Sequence, residues 1–263
     1  MSIDIIEELN SKQREAVESG DGPLLIIAGP GSGKTRVITH RIAYLVQKNR
    51  IPHYRIAAVT FTNKAAREMR ERLVSLLGEN SNDMTLNTFH SFCSMILRRE
   101  GEKIGLDRDF AIYDNADQIS ILKKSMEDVN IDQKQFAPKA IQSTISGAKS
   151  QLIGIEAYGM SKGSYWEEIV HRVFERYEFR LKQASAVDFD DLLSKVFSLF
   201  TQHPDIAQKY QNRYSYLLVD EFQDTNIAQY QITKILAQEH RNVCVVGDPD
   251  QSIYSWRGAE IQN

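Results

Sequence analysis

Five short apolar runs punctuate the chain: Leu24–Ala28, Ile56–Phe61, Met84–Thr88, Tyr216–Val219 and Val243–Val246. Each is rich in β-branched or aromatic residues, and several end at Gly, Asp or Thr, which reads as strands. Their near-continuous apolarity suits a parallel sheet covered on both faces. Between them apolar residues recur at helical spacing, in Thr35–Lys48, Lys64–Leu77 and Ser91–Arg99. Strands alternating with helices predict a doubly wound α/β domain.

Residues 110–187 follow another rhythm. Ile119, Leu122 and Met126, then Ile169, Val173, Phe174 and Tyr177, keep helical spacing, and no convincing strand interrupts them. Breaks at Ser146-Gly147 and at Gly159-Met160-Ser161-Lys162-Gly163 divide the stretch into helical pieces. The expected organisation is an α/β domain in two segments, 1–109 and 188–263, interrupted by a mostly helical domain at 110–187. The sequence contains no repeat and no low-complexity segment.

Composition narrows the classes. With 263 residues, 42% hydrophobic and 25% charged, the chain suits a globular protein with room for two domains. Its longest apolar run, Pro23–Ala28, is far too short for a membrane span. The N-terminal residues lack a cationic start followed by an apolar stretch, so no secretion signal is expected and a cytoplasmic location is. Cys93 and Cys244 sit among apolar neighbours and read as core thiols in a reducing compartment. A net charge of −3 argues against a grip on nucleic acid by bulk positive charge. A local basic groove or base stacking remains open.

Chemistry concentrates first at residues 28–35, Ala-Gly-Pro-Gly-Ser-Gly-Lys-Thr. The phosphate-loop pattern is G-x-x-x-x-G-K-[ST], and Ala28 stands at its first glycine position, a one-residue departure. An apolar strand precedes the loop and a helical pattern follows it. Gly29, Gly31 and Gly33, with Pro30 and Ser32 between them, let backbone N–H groups face phosphates. The next helix aims its N-terminus at the same anion. Lys34 is then the contact to the β- and γ-phosphates of ATP, and the Thr35 hydroxyl a ligand of Mg²⁺.

Such a site also needs an acid at a strand end, and Tyr216–Val219 runs into Asp220-Glu221. Asp220 is the candidate second magnesium ligand. Glu221 is placed to polarise a water for attack on the γ-phosphate. The tandem acids favour hydrolysis over a kinase reaction, which positions a substrate hydroxyl instead. Lys34 and Asp220 lie further apart than one or two βα units explain, which independently supports an insertion. The last strand ends in Gly247-Asp248-Pro249-Asp250-Gln251-Ser252, where Gln251 can sense the γ-phosphate. Taken alone, Gly-Asp-Pro is equally a turn.

Three stretches carry a resemblance: Asp220-Glu221-Phe222-Gln223-Asp224, the run from Gly247 to Ala259 that contains Tyr254-Ser255-Trp256-Arg257, and Thr60-Phe61-Thr62-Asn63-Lys64-Ala65-Ala66. They resemble the motifs of superfamily 1 helicases of the UvrD/Rep/PcrA type. Leu9-Asn10-Ser11-Lys12-Gln13 resembles that family's adenine-reading motif, and Thr88-Phe89-His90-Ser91 matches a further one. The resemblance covers most of the α/β portion and none of the helical insert. It implies a RecA-like P-loop NTPase domain, part of an ATP-driven motor that moves 3′ to 5′ on single-stranded DNA and unwinds duplex DNA in repair or replication. By position, it gives Gln13 a bond to adenine and lays Arg36 against the base. Arg257 links nucleotide and DNA, and Phe61, Asn63, Lys64, His90, Tyr254 and Trp256 fall where the family meets DNA. Aromatic faces stack any base without reading sequence. Core packing stays an alternative for Phe61 and Tyr254, and a structural role for His90. The Lys64–Arg72 helical run reads equally as a DNA-backbone contact or a solvated, ion-paired face.

Val187-Asp188-Phe189-Asp190-Asp191 brings three carboxylates together, which suggests either a nuclease metal site or, more often before an apolar helix, capping acids. The family's later motifs lie in a second RecA-like domain, so this chain is expected to be an N-terminal fragment offering one wall of the ATP cleft. Alone it should bind nucleotide weakly and hydrolyse it poorly, since an arginine finger is worth about 10³ to 10⁵ in rate. Against the motor stand three other readings. One is a nucleotide- and DNA-binding fragment without unwinding activity, one the motor half of a helicase–nuclease subunit, and one a small-molecule kinase.

Overall fold

A computed structural model describes residues 5–81, 83–161, 163–248 and 250, with the backbone alone at 79, 80 and 161. The chain runs through α1 (Ser11–Glu18), β1 (Leu24–Ile27), α2 (Lys34–Gln47), β2 (Ile56–Thr60), α3 (Asn63–Leu77), β3 (Thr85–Thr88) and α4 (Phe89–Glu100). There follow β4 (Ala111–Ile112), α5 (Asn115–Asp128), α6 (Pro138–Ser150), α7 (Ile155–Ser161), α8 (Tyr165–Gln183), β5 (Ala186–Val187) and α9 (Phe189–Gln202). The described part ends with α10 (Pro204–Arg213), β6 (Tyr216–Val219), α11 (Ile227–Ala237) and β7 (Val243–Gly247). Two compact units emerge. One comprises 1–92, 200–225 and 229–263, the other 93–199 with 226–228.

In the first unit β1, β7, β6, β2 and β3 lie side by side in that order, every pair parallel. The five sequence-read runs are these strands, shifted at their ends by a residue or so. β2 and β6 are buried along their whole length, which is why they read as unbroken apolar runs. Ala58, Leu86 and Leu218 share one face and pack against Ile38, Ile42 and Leu45 of α2 and Met69 and Leu73 of α3. β1 departs from the expectation of strands covered on both faces. It is an edge strand pairing with β7, and its side chains alternate, Leu24 and Ile26 toward the core and Leu25 and Ile27 62% and 67% exposed. An apolar run alone does not distinguish the two cases. Arg41, buried on α2, donates to the carbonyls of Ala16, Val17, Ser19 and Gly20 and so caps the C-terminal end of α1.

The second unit is mostly helical. α5, α6 and α8 bury Leu122, Met126, Ile141, Ile145, Val173, Phe174 and Tyr177 around one core. Two findings correct the sequence reading. The stretch is not strandless, because β4 and β5 pair in parallel at its two ends, Ala111 with Ala186 and Ile112 with Val187. Two residues are too short to leave a periodicity. Nor does the chain break at Ser146-Gly147, which lie inside α6. A helical glycine costs about 1 kcal/mol against alanine, and the burial of Ile141, Ile145, Ala148 and Lys149 outweighs it. Gly159 also lies within a helix, α7, which ends two residues later. A Cβ on Gly159 would come within 2.4 Å of His171 Nε2, so the glycine sets how closely α7 and α8 approach.

Cys93 and Cys244 are buried and free. Burial pushes both thiols up, that of Cys244 to about 11. Among the described residues no helix is long and apolar enough to cross a membrane.

Candidate active site

The glycine-rich loop leaves the carboxyl end of β1 and is tied to the sheet by the Ala28 amide, which donates to the Gly247 carbonyl at 3.1 Å. It turns through Gly31 (φ 72°) and Gly33 (φ 88°), left-handed conformations that cost an L side chain about 1–2 kcal/mol. Ser32 closes the turn with its hydroxyl on the Gly29 carbonyl at 2.6 Å. Gly33 precedes the first turn of α2, so that turn's free N–H groups face the loop. Gly29 through Arg36, with Arg72 and Glu221, line a cleft of about 360 Å³.

Gln13 stands behind the loop. With Asn10 it forms the capping box of α1, and its amide also donates to the Ser32 carbonyl at 2.8 Å. A Cβ at Gly33 would lie 3.0 Å from that same amide nitrogen. Arg36, the third residue of α2, pairs with Glu8 at 2.7 Å.

The ends of β6 and β7 meet the loop that leaves β1. Lys34 opens α2 and is buried, its Nζ 3.5 Å from Asp248 Oδ2 just past β7. The Thr35 hydroxyl lies 3.5 Å from Asp220 Oδ2 at the end of β6. Asp220 is buried, and that burial, with the neighbouring Glu221 charge, pushes its carboxyl up to about 6. The Glu221 N–H, the Thr35 hydroxyl and Lys34 pull the other way. A hydroxyl and a desolvated carboxylate are hard oxygen donors, and this donor set fits Mg²⁺. Glu221 follows in the left-handed region (φ 51°, ψ 46°), a strained place for a side-chain-bearing residue. The chain then tightens into a single 3₁₀ turn, Phe222–Asp224.

The order β1-β7-β6-β2-β3 explains this convergence. The chain passes from β1 to β2 over the positions later filled by β7 and β6, which opens a crevice at the carboxyl ends of the strands between them. Asp248 and Gln223 are site residues that the sequence reading did not single out. Both lay inside quoted motifs, but nothing in their spacing marks them as partners. Arg72 on α3 is a third.

A second group of candidates sits at the ends of β2 and β3, where Thr60 and Thr88 are in register. Phe61 follows Thr60 directly and His90 comes two residues after Thr88; both are half-buried, while Asn63 and Lys64 open α3 and are exposed. Thr62 caps α3 by accepting from the Ala65 amide at 3.1 Å. The basic run on α3 divides. Lys64 and Arg67 are exposed and lie 3.9 Å from Glu68 and Glu71, whereas Arg70 donates to the Leu86 carbonyl at 3.0 Å. Gln251, Tyr254, Trp256 and Arg257 lie outside the described residues.

In the other unit, Asp188 and Asp191 cap the start of α9. The Asp191 amide donates to Asp188 Oδ1 at 2.7 Å, and the Asp188 amide to Asp191 Oδ2 at 3.1 Å. The Asp188, Asp191 and Glu178 carboxylates approach one another as a metal site's ligands do. Their centre is filled by the Lys149 ammonium, 2.7 Å from Asp188, 2.9 Å from Asp191 and paired with Glu178. Burial opposes that charge, and the three carboxylates outweigh the burial, holding the Lys149 pKa well above its usual value. The acids are thus capping residues and the cage of a lysine, and the nuclease alternative loses its site there.

Comparisons with known proteins agree with this geometry. The family profile described as UvrD/REP helicase N-terminal domain matches residues 9–263. The protein named ATP-dependent DNA helicase PcrA of Bacillus subtilis is 48% identical over 263 residues, which is 100% of this chain and 36% of that protein. The protein of the same name from Staphylococcus aureus strain Mu50 is 46% identical over 259 residues, covering 98% of this chain and 36% of its own length. That of Staphylococcus epidermidis is 47% identical over 259 residues with the same coverage. The chain therefore spans about a third of the length of these curated relatives.

Proposed function

This chain belongs to the UvrD/REP helicase family, and from that premise we propose that it is the ATP-binding motor half of a 3′–5′ DNA helicase. The observation that carries the reading is the cleft lined by the loop, Lys34, Thr35 and Glu221, with Asp220 against Thr35 and Asp248 against Lys34. In the proposed complex the loop amides of Gly29 through Gly33, with Pro30 and Ser32 shaping the turn after Ala28, hold the phosphates. Lys34 leaves Asp248 for the γ-phosphate. Thr35 and Asp220 hold Mg²⁺, which neutralises charge on the phosphate oxygens. Glu221 orients the attacking water. Gln13 and Arg36 address the base, and Gln251 senses the γ-phosphate. The remaining charge stabilisation comes from a second RecA-like domain, as the motor's two-walled cleft requires.

Single-stranded DNA lies, on this reading, across the ends of β2 and β3, against Phe61, Asn63, Lys64 and His90 and then Tyr254, Trp256 and Arg257. Stacking on half-buried aromatics suits a chain of net charge −3. Residues 110–187 are the domain inserted into the motor.

The reading is tested with a labelled oligonucleotide and by strand displacement. Single-stranded DNA is expected to bind, and Phe61→Ala and His90→Ala are each expected to weaken it about 5-fold or more, the equivalent of about 1–3 kcal/mol per stacked base. Displacement of a duplex strand is expected from the chain joined to a second RecA-like domain and not from the chain by itself. Binding that ignores both substitutions would count against the DNA path. Absence of displacement in the joined protein would favour a binding module.

A further inference from the structure

Gln223 has no part in the scheme above, yet its side chain connects the scheme's main groups. It is 7% exposed, in the 3₁₀ turn after β6. Its carboxamide engages groups of opposite polarity at its two ends. Oε1 accepts the Asp248 amide at 3.0 Å, and a backbone N–H can only donate. That fixes the orientation of the amide, so Nε2 points the other way. Nε2 donates to Glu221 Oε2 at 2.8 Å, with Asp224 Oδ2 a longer 3.4 Å away. Reversing the amide would set two donors against each other on one side and two acceptors on the other.

The backbone has made room for this bridge. A Cβ at Gly247 would lie 2.7 Å from Gln223 Oε1, so only glycine lets the carboxamide reach the end of β7. Asp248, whose amide Gln223 engages, carries the carboxylate that faces Lys34 at 3.5 Å. Gln223 therefore ties the Glu221 carboxylate to the β7 terminus that also sets Lys34. Glu221 needs such a tie. Its left-handed backbone fixes where the side chain starts and leaves several bonds of rotation before the carboxylate.

We infer that Gln223 is a positioning residue for Glu221, holding the carboxylate where it can orient the water that attacks ATP. The inference rests on the hydrolytic reading above. Misplacing a reacting group by about 1 Å can cost 10²-fold in rate, so the effect belongs in turnover and not in nucleotide affinity.

The test is single-turnover hydrolysis of labelled ATP by the chain joined to a second RecA-like domain, with protein in excess and Mg²⁺ present, beside an equilibrium titration with a fluorescent ATP. Gln223→Leu removes the polar contacts to Asp248 and Glu221. Gln223→Glu sets a second carboxylate against Glu221. Gly247→Ala pushes the unchanged glutamine away. All three are expected to lower the rate about 10-fold to 10²-fold while the dissociation constant for ATP stays within about twofold, with the glutamate variant slowest because it repels Glu221. An unchanged rate in Gln223→Leu overturns the inference, as does a loss of affinity that accounts for the slower rate. The two readings fail differently. Wild-type turnover abolished by Glu221→Gln but kept in Gln223→Leu sinks the inference alone. Wild-type turnover no faster than uncatalysed hydrolysis sinks the hydrolytic reading and the inference with it.

Discussion

Glu221→Gln is expected to slow ATP hydrolysis by about 10² to 10⁴, the range over which a positioned general base acts, and to leave nucleotide binding within about twofold. The substitution keeps the shape of the side chain and the left-handed backbone, and removes the charge that polarises water. The new amide keeps one carbonyl oxygen, which can still accept from Gln223 Nε2. In the proposed complex the phosphates are held by the loop, Lys34 and the first turn of α2 and not by Glu221, so affinity has no reason to fall. Single-turnover chemistry and equilibrium binding on the same preparation separate the two effects. A loss of affinity matching the loss of rate would place Glu221 among the binding groups.

Lys149→Met is expected to destabilise the helical unit by about 3–5 kcal/mol, the cost typical of removing one member of a buried ionic cluster. The ammonium is 5% exposed and is the shared partner of Asp188, Asp191 and Glu178. Without it three carboxylates keep the partly exposed Lys195, at 3.5 Å from Asp191 and 3.8 Å from Glu178, and the Tyr177 hydroxyl at 3.0 Å from Asp188. The pH dependence has a definite sign. In the intact protein burial pushes the Asp191 carboxyl up, and the charges of Lys149 and Lys195 with the hydrogen bonds from Lys149 and the Asp188 N–H together outweigh it and hold the carboxyl below the usual range. Its contribution is thus present above the ordinary carboxylate value and lost as pH falls through its own lower one. In the variant the buried acids shift the other way and gain from protonation, so the deficit should shrink between pH 8 and pH 5. Urea unfolding at the two pH values measures it. Equal deficits at both would show that packing, and not charge, explains the loss.

The fold was legible where local pattern and tertiary role coincide. β2 and β6 are apolar because both faces are covered, and the loop from Gly29 to Thr35 declares itself because glycine conformations and phosphate chemistry occupy consecutive residues. The expectation failed where one residue type serves two contexts. The β1 run reads like a central strand and lies at the edge, with Leu25 and Ile27 exposed. Gly147 reads as a break and lies in a helix that burial sustains. Within the site, Asp220 and Glu221 could be read from the strand that ends in them. Gln223 and Asp248 could not, because each matters through a partner distant in sequence, and Arg72 could not, because only the fold brings α3 to the cleft. Lys149 is the clearest case. Asp188 and Asp191 looked like helix caps or metal ligands, and the cation between them comes from another helix, 39 residues from one and 42 from the other.

The central claim is that the cleft lined by the glycine-rich loop and Glu221 binds ATP with Mg²⁺. Titration of the chain with a fluorescent ATP, with and without Mg²⁺, tests it most directly when Lys34→Ala is measured alongside. The account predicts saturable, Mg²⁺-dependent binding that weakens 10-fold or more in Lys34→Ala, about 1.4 kcal/mol or more for losing a buried charge contact. Binding of equal strength in both proteins, indifferent to Mg²⁺, would contradict it.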